Sequence, residues 1–251
     1  KNRDGLSVGL EYVQRTILTE DMTGWALATY SSWLAEAGAW DEAEEIIANA
    51  TKAQIDDNPL ILYSRMRLRL ALMVNPADER PALVQTDHSL PVPGRLRNDA
   101  EGRRLRECAL ADLSQFRVLV PEVQLDHGDW FDAQRLFLVL SNPDQSDNEV
   151  ALKELQDRAA KPETAILFGW LAASLGLPFD DEILRLELAR KELLGELSGP
   201  ELQAALQLTL RLGDATEILK FLDRYDTQLI KTDVPEALIV GLKIEATAKA
   251  G

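Results

Sequence analysis

Along almost the whole 251-residue chain an apolar side chain returns every three or four positions. Leu6, Leu10, Val13 and Ile17 follow the i, i+4, i+7, i+11 spacing that one face of an α-helix presents. Leu27, Tyr30 and Leu34 repeat it, as do Ala43, Ile46, Ile47 and Ala50. The same habit runs through Ile61 to Met73, Leu105 to Leu119, Ala133 to Leu140, Val150 to Ala159 and Ala165 to Leu175. It continues through Ile183 to Leu194, Leu202 to Leu212, Ile218 to Leu229 and Ala237 to Ala248. Alternating Val- and Thr-rich runs of strand type are absent, and Asp4-Gly5 leads into a helical pattern rather than a hairpin. The fold class this dictates is all-α.

The breaks predict short helices joined by tight turns. Pro162, Pro200 and Pro235 each stand before a helical stretch, where the missing N–H of proline costs nothing. Gly38, Gly128, Gly176 and Gly213 are expected to close helices, since glycine accepts the left-handed backbone that ends them. An acid follows each glycine (Asp41, Asp129, Asp180, Asp214) and is placed to cap the next helix or favour its positive end. One stretch breaks the rhythm. Residues 75–97 hold Pro76, Pro81, Pro91, Pro93 and Gly94, and read as a loop insertion with one helical turn near 78–85. A loop of that length is either functional or a tolerated surface insertion.

Two segments resemble one another. Gly38-Ala39-Trp40-Asp41-Glu42-Ala43 with Ile46 and Ile47 matches Gly128-Asp129-Trp130-Phe131-Asp132-Ala133 with Leu136 and Phe137. The shared pattern is G-x-W-x-[ED]-A-x-x-[IL]-[IF], in which the glycine reverses the chain and the small Ala admits a neighbouring helix. It resembles the turn between the two helices of a tetratricopeptide repeat. In a roughly 34-residue frame beginning at Gly24, Gly38 is the turn glycine, and Ala43, Ile47 and Ala50 are the second-helix positions. Leu27, Tyr30, Ser31 and Leu34 stand at the first-helix positions, where the family often has Trp, Leu, a small residue and Tyr. Ile55 stands where the late proline is usual, with Pro59 four residues on. The two glycines are 90 residues apart; two repeats span about 68, leaving about 22, close to the length of the Pro-rich stretch. Weaker echoes lie at Gly213-Asp214 and from Gly176 to Glu182. The resemblance implies a single α-helical repeat domain over 1–251, interrupted at 75–97. It would be a right-handed superhelix of antiparallel helix pairs, a TPR-like α-solenoid of about 10–13 helices.

Catalytic and metal signatures are missing. His88 and His127 are the only histidines, and His127 falls in a turn-like Asp126-His127-Gly128-Asp129. The chain holds no HExxH, Walker-type, GxGxxG or GxSxG pattern. Asp144 to Glu149 is acid-rich but lacks the central Gly and distal Glu of a calcium loop. Cys108, the only cysteine, reads as a small buried residue. No enzyme, metal or cofactor is therefore expected.

Charge is unevenly placed. With 27 Lys+Arg against 42 Asp+Glu the chain carries −15, which disfavours nucleic acid and anionic membranes and favours basic partners. Residues 65–106 nonetheless hold nine arginines, no lysine and five acids, for a local +4. Arginine without lysine suits planar, bidentate recognition of carboxylate or phosphate. The same arginines can instead pair with acids of neighbouring helices. No apolar run approaches the roughly 18 residues of a membrane span, and no signal peptide is visible. The expected protein is soluble, in cytoplasm or periplasm, and its arginine-rich, lysine-poor balance has a bacterial look. The chain begins at Lys1, so its native start is expected to lie upstream.

The functional expectation is a non-enzymatic scaffold that binds a peptide or helix of a partner protein. Trp25, Tyr30 and Trp33 are its candidate contacts, with Arg65, Arg69, Arg103 and Arg106 as charged clamps. The alternative is a helical sensor that binds a small anionic ligand at the arginine-rich stretch.

Overall fold

The computed structural model describes residues 22–74, 90–120, 128–142, 148–197, 199–231, 234 and 236–250. They form 12 α-helices and one 3-10 turn at Pro93–Arg95, with no strand among them. The all-α expectation holds. The helix expected from Leu6 to Ile17 and the turn near 78–85 lie outside the described residues. The described chain divides into two compact units, one of residues 22–74 and 94–120, the other of 90–93 and the residues from 128 onward.

The first unit starts with α1 (Gly24–Glu36), capped by the Thr23 hydroxyl, which accepts from the Ala26 N–H at 3.2 Å. Its inner face is Leu27, Tyr30, Ser31 and Leu34, the four positions singled out by the repeat frame. Gly38, at φ 87°, takes the left-handed turn that starts α2 (Trp40–Ala48). Ala43 is fully buried there, and its carbonyl accepts from the Ser31 hydroxyl at 2.9 Å. The two small residues thus bring α1 and α2 together. Next, α3 (Lys52–Asp57) opens with a capping box between Thr51 and Gln54. Then α4 (Leu60–Leu72) buries Ile61, Leu62, Met66 and Leu70 completely, each worth about 1.5–3 kcal/mol. Finally α5 (Ala100–Leu119) is capped by Asp99, whose carboxylate accepts from the Gly102 N–H at 2.8 Å. Helix α1 packs on α2, α3 and α4; α2 packs on α4; and α4 lies most extensively against α5. Between α4 and α5, Val74 pairs with Leu96 in an isolated antiparallel bridge, and the Arg97 N–H donates to the Met73 carbonyl at 2.8 Å.

The second unit holds α6 (Gly128–Leu140), α7 (Asn148–Ala159), α8 (Ala165–Ser174), α9 (Asp181–Leu194), α10 (Gly199–Leu212), α11 (Ala215–Lys231) and α12 (Glu236–Ala250). Its centre is α8, Ala-Ile-Leu-Phe-Gly-Trp-Leu-Ala-Ala-Ser, of which eight of ten residues are buried. A helix apolar on every side must be enclosed on every side. Accordingly α8 touches α6, α7, α9 and α10. Trp170 stacks on Trp130 with ring centres 6.2 Å apart, and the Arg158 guanidinium lies over the Phe168 ring at 5.1 Å. Helices α10, α11 and α12 follow in sequential contact.

Several sequence expectations meet their detail here. Asp180 caps α9 through the Glu182 and Ile183 N–H groups (3.0 and 3.1 Å). Asp214 accepts from Thr216 and Glu217 at 2.8 and 2.9 Å at the start of α11. Gly128 departs from expectation. Instead of closing a helix it is the first residue of α6, and Trp130 is a buried helical residue, 2% exposed. The physical reason is the Trp170 ring, which holds Trp130 inward. Cys108 is half-buried rather than enclosed.

Candidate functional site

All seven residues expected to contact a partner fall in the first unit. Arg65 and Arg69 stand one turn apart on α4 and converge on Asp112 of α5. Arg65 donates through Nε to both Asp112 oxygens at 3.0 Å and through Nη2 to Oδ1 at 2.6 Å. Its Nη1 reaches the Ile47 and Ala48 carbonyls at 3.5 Å, at the end of α2. Arg69 completes the cluster: Nη1 bonds Asp112 Oδ2, and Nε donates to Glu44 Oε1 at 3.3 Å. Asp112 is 3% exposed. The arrangement joins α2, α4 and α5 and occupies both guanidinium groups internally. Arg97 pairs with Asp99 (2.7 Å) and Arg104 with Glu101 (2.7 Å), so much of the arginine-rich stretch pairs with nearby acids. Arg97 and the Gly102 N–H together hold the Asp99 carboxyl below its usual range.

Arg103 is exposed, and its Nη1 donates to the Asn98 carbonyl at 3.2 Å. Arg106 is the opposite case. It is 1% exposed, and none of its three guanidinium nitrogens has a hydrogen-bond partner among the described residues. Burial pushes its pKa down from the ordinary arginine value.

The aromatic candidates separate in the same way. Tyr30 is 5% exposed and belongs to the inner face of α1. Trp25 and Trp33 are 68% and 37% exposed. Two turns apart, they stand on one side of the helix, away from Leu27, Tyr30 and Leu34. Beside α1, a cleft of about 470 Å³ is lined by Leu27, Glu42, Glu45, Ile46, Thr51 and Gln54 among others. The carboxylates of Glu42 and Glu45 on its lining suit a cationic side chain.

The second unit has a smaller cleft of about 170 Å³ among α9, α10 and α11, lined by Arg185, Glu192, Thr209, Glu217 and Lys220 among others. Arg185 is engaged there with the Leu212 carbonyl, and Glu217 with the Asp214 N–H. Burial raises the Glu192 pKa, Glu217 raises it further and Arg224 opposes both. No group of three or more His, Cys, Asp or Glu able to hold a metal occurs among the described residues. None of their helices is long and apolar enough to cross a membrane.

The residue that sequence reasoning missed is Asp112. A signal for it existed: Leu105, Ala109, Asp112 and Phe116 keep the i, i+4, i+7, i+11 spacing, and all four are buried. An acid on an apolar stripe needs a buried cation, and Arg65 and Arg69 supply two. No protein-family model, curated protein or solved structure matches the chain.

Proposed function

We propose that the chain is a non-enzymatic helical scaffold that binds a basic segment of another protein. The observation that carries this reading is the exposed pair Trp25 and Trp33 on a helix whose other face is fully engaged. Large aromatic side chains held in water by a rigid helix are effective interface anchors. The adjoining α1–α2–α3 region contributes the Glu42 and Glu45 cleft, and the net charge of −15 draws a basic partner over distance. Arg65 and Arg69, held by Asp112, serve the scaffold rather than the partner in this reading. The neighbour order is compatible with the proposed array of helix pairs. In each unit a helix packs on its successor and on a later helix, as α1 does on α2 and α4, and α8 on α9 and α10.

The experiment is a capture from native lysate comparing the intact chain with a Trp25→Ala/Trp33→Ala double variant. Both side chains are exposed, so the variant should keep its circular dichroism and melting temperature. The expected result is a specific protein held by the intact chain, released by added salt and lost from the variant. Equal capture by both chains, or capture of nothing, sinks the proposal.

A further inference from the structure

We propose that Arg106 anchors an internal binding site for one small oxyanion, of the size and chemistry of phosphate, sulfate or a simple carboxylate. The inference starts from what a guanidinium requires. Arginine remains protonated throughout the range where proteins fold, and it carries five N–H donors and no acceptor. Taking that charge out of water without an opposite charge is among the costliest things a fold can do. Arg106 is 1% exposed, and Nε, Nη1 and Nη2 all lack acceptors.

The surrounding helices sharpen the point. Arg65 and Arg69 of α4 are also largely buried, and both are satisfied by Asp112 and Glu44. Asp112 belongs to the same helix as Arg106, yet its oxygens are taken by those two arginines. The unit therefore holds Arg65 and Arg69 with carboxylates and leaves the Arg106 fork without an acceptor among the described residues. Burial is also what pushes the Arg106 pKa down. A planar fork of parallel N–H bonds matches an oxyanion edge and would bind it bidentately. The enclosure also sets the size of the occupant. A peptide cannot reach a side chain that is 1% exposed, whereas a small ion enters by local opening. This site is independent of the tryptophan surface proposed for partner binding, and each can fail alone.

The test is thermal melting of the full chain, Arg106→Met and Arg106→Lys in sodium chloride, and at equal ionic strength in inorganic phosphate, sulfate or acetate. At least one oxyanion should raise the melting temperature of the intact chain over chloride by about 4 °C or more. The anion whose effect depends on Arg106 identifies the occupant. In Arg106→Met only the smaller rise that sulfate and phosphate give by exclusion from any protein surface should remain, and in chloride this variant should melt at or above the intact chain, because an unbalanced charge has been removed. Arg106→Lys keeps the charge but not the fork, so calorimetric affinity for the effective anion should fall at least about tenfold. Three results overturn the proposal: no oxyanion effect on the intact chain, an equal effect on Arg106→Met, or a lower melting temperature or failure to fold of Arg106→Met in chloride. The last would mean that an internal carboxylate already holds the guanidinium. If Arg106→Met does not fold, an undiminished affinity in Arg106→Lys is a separate refutation.

Discussion

The two units bury their centres by different means. In the first, helices α2, α4 and α5 are tied by Arg65, Arg69, Glu44 and Asp112, a charged cluster beneath the surface. In the second, α8 is enclosed by apolar surface and by the Trp130–Trp170 stack. Its Arg158 contacts with Asp129 and Asp132 are more open to solvent, and only the pair of Lys191 with Glu201 approaches the enclosure of the first unit's cluster. Apolar burial is favourable wherever it occurs and tolerates sliding of one helix on another. A buried ion cluster gains little net energy, but it penalises every arrangement that separates its members. The contrast teaches that an acidic chain can use its arginines to fix helix register in one region while leaving another to hydrophobic packing.

The strongest way to break the contrast is Asp112→Ala. It strands two buried guanidinium groups, and the expected loss is about 3–5 kcal/mol in the first unit. Hydrogen exchange should show α4 and α5 losing protection while α8 keeps its own. Equal loss in both units would mean that they do not differ as described.

A smaller effect separates the glycines. A Cβ at Gly102 would run into the Arg97 backbone carbonyl, whereas one at Gly169 would meet the end of the Leu184 side chain. Backbone cannot yield as a leucine rotamer can. Gly102→Ala is therefore expected to cost about 2–3 kcal/mol and Gly169→Ala about 1 kcal/mol, read from urea midpoints. Reversal of that order would show the first unit to be the more pliant one.

The smallest effect concerns pH. The Glu192 pKa is raised in the fold, so its proton is held more tightly folded than unfolded. Its stabilising contribution is present below the ordinary glutamate value and is lost as pH rises through the folded pKa. Glu192→Gln should therefore be more stable than the parent at pH 7, and the gain should disappear below about pH 4. Since the group is partly solvated, the gain is about 0.5 kcal/mol or less. A variant less stable at pH 7 would place Glu192 in a favourable ion pair.

Legibility in the sequence followed physical range. Helices announce themselves locally, because the 3.6-residue period is written in neighbouring residues, and so the all-α class was readable. Pairing between helices is not local. Nothing near Arg65 in the chain shows that its carboxylate lies 47 residues away at Asp112. For the same reason Arg103 and Arg106, three residues apart, look alike as letters and sit one exposed and one enclosed. Tryptophans divided likewise: Trp25 is exposed, whereas Trp130 is buried with the Trp170 ring stacked on it.

The bridge of Val74 with Leu96, backed by the Arg97–Met73 hydrogen bond, closes the Pro-rich insertion at its base. Its ends are held a few ångströms apart by main-chain contacts, whatever lies between them. Once a loop is pinned at the neck, doubling its length costs only about 0.6 kcal/mol in closure entropy. The helices on either side are therefore insulated from changes in the length and content of that segment. It is a position at which the chain can gain, lose or exchange residues while α4 and α5 stay in register.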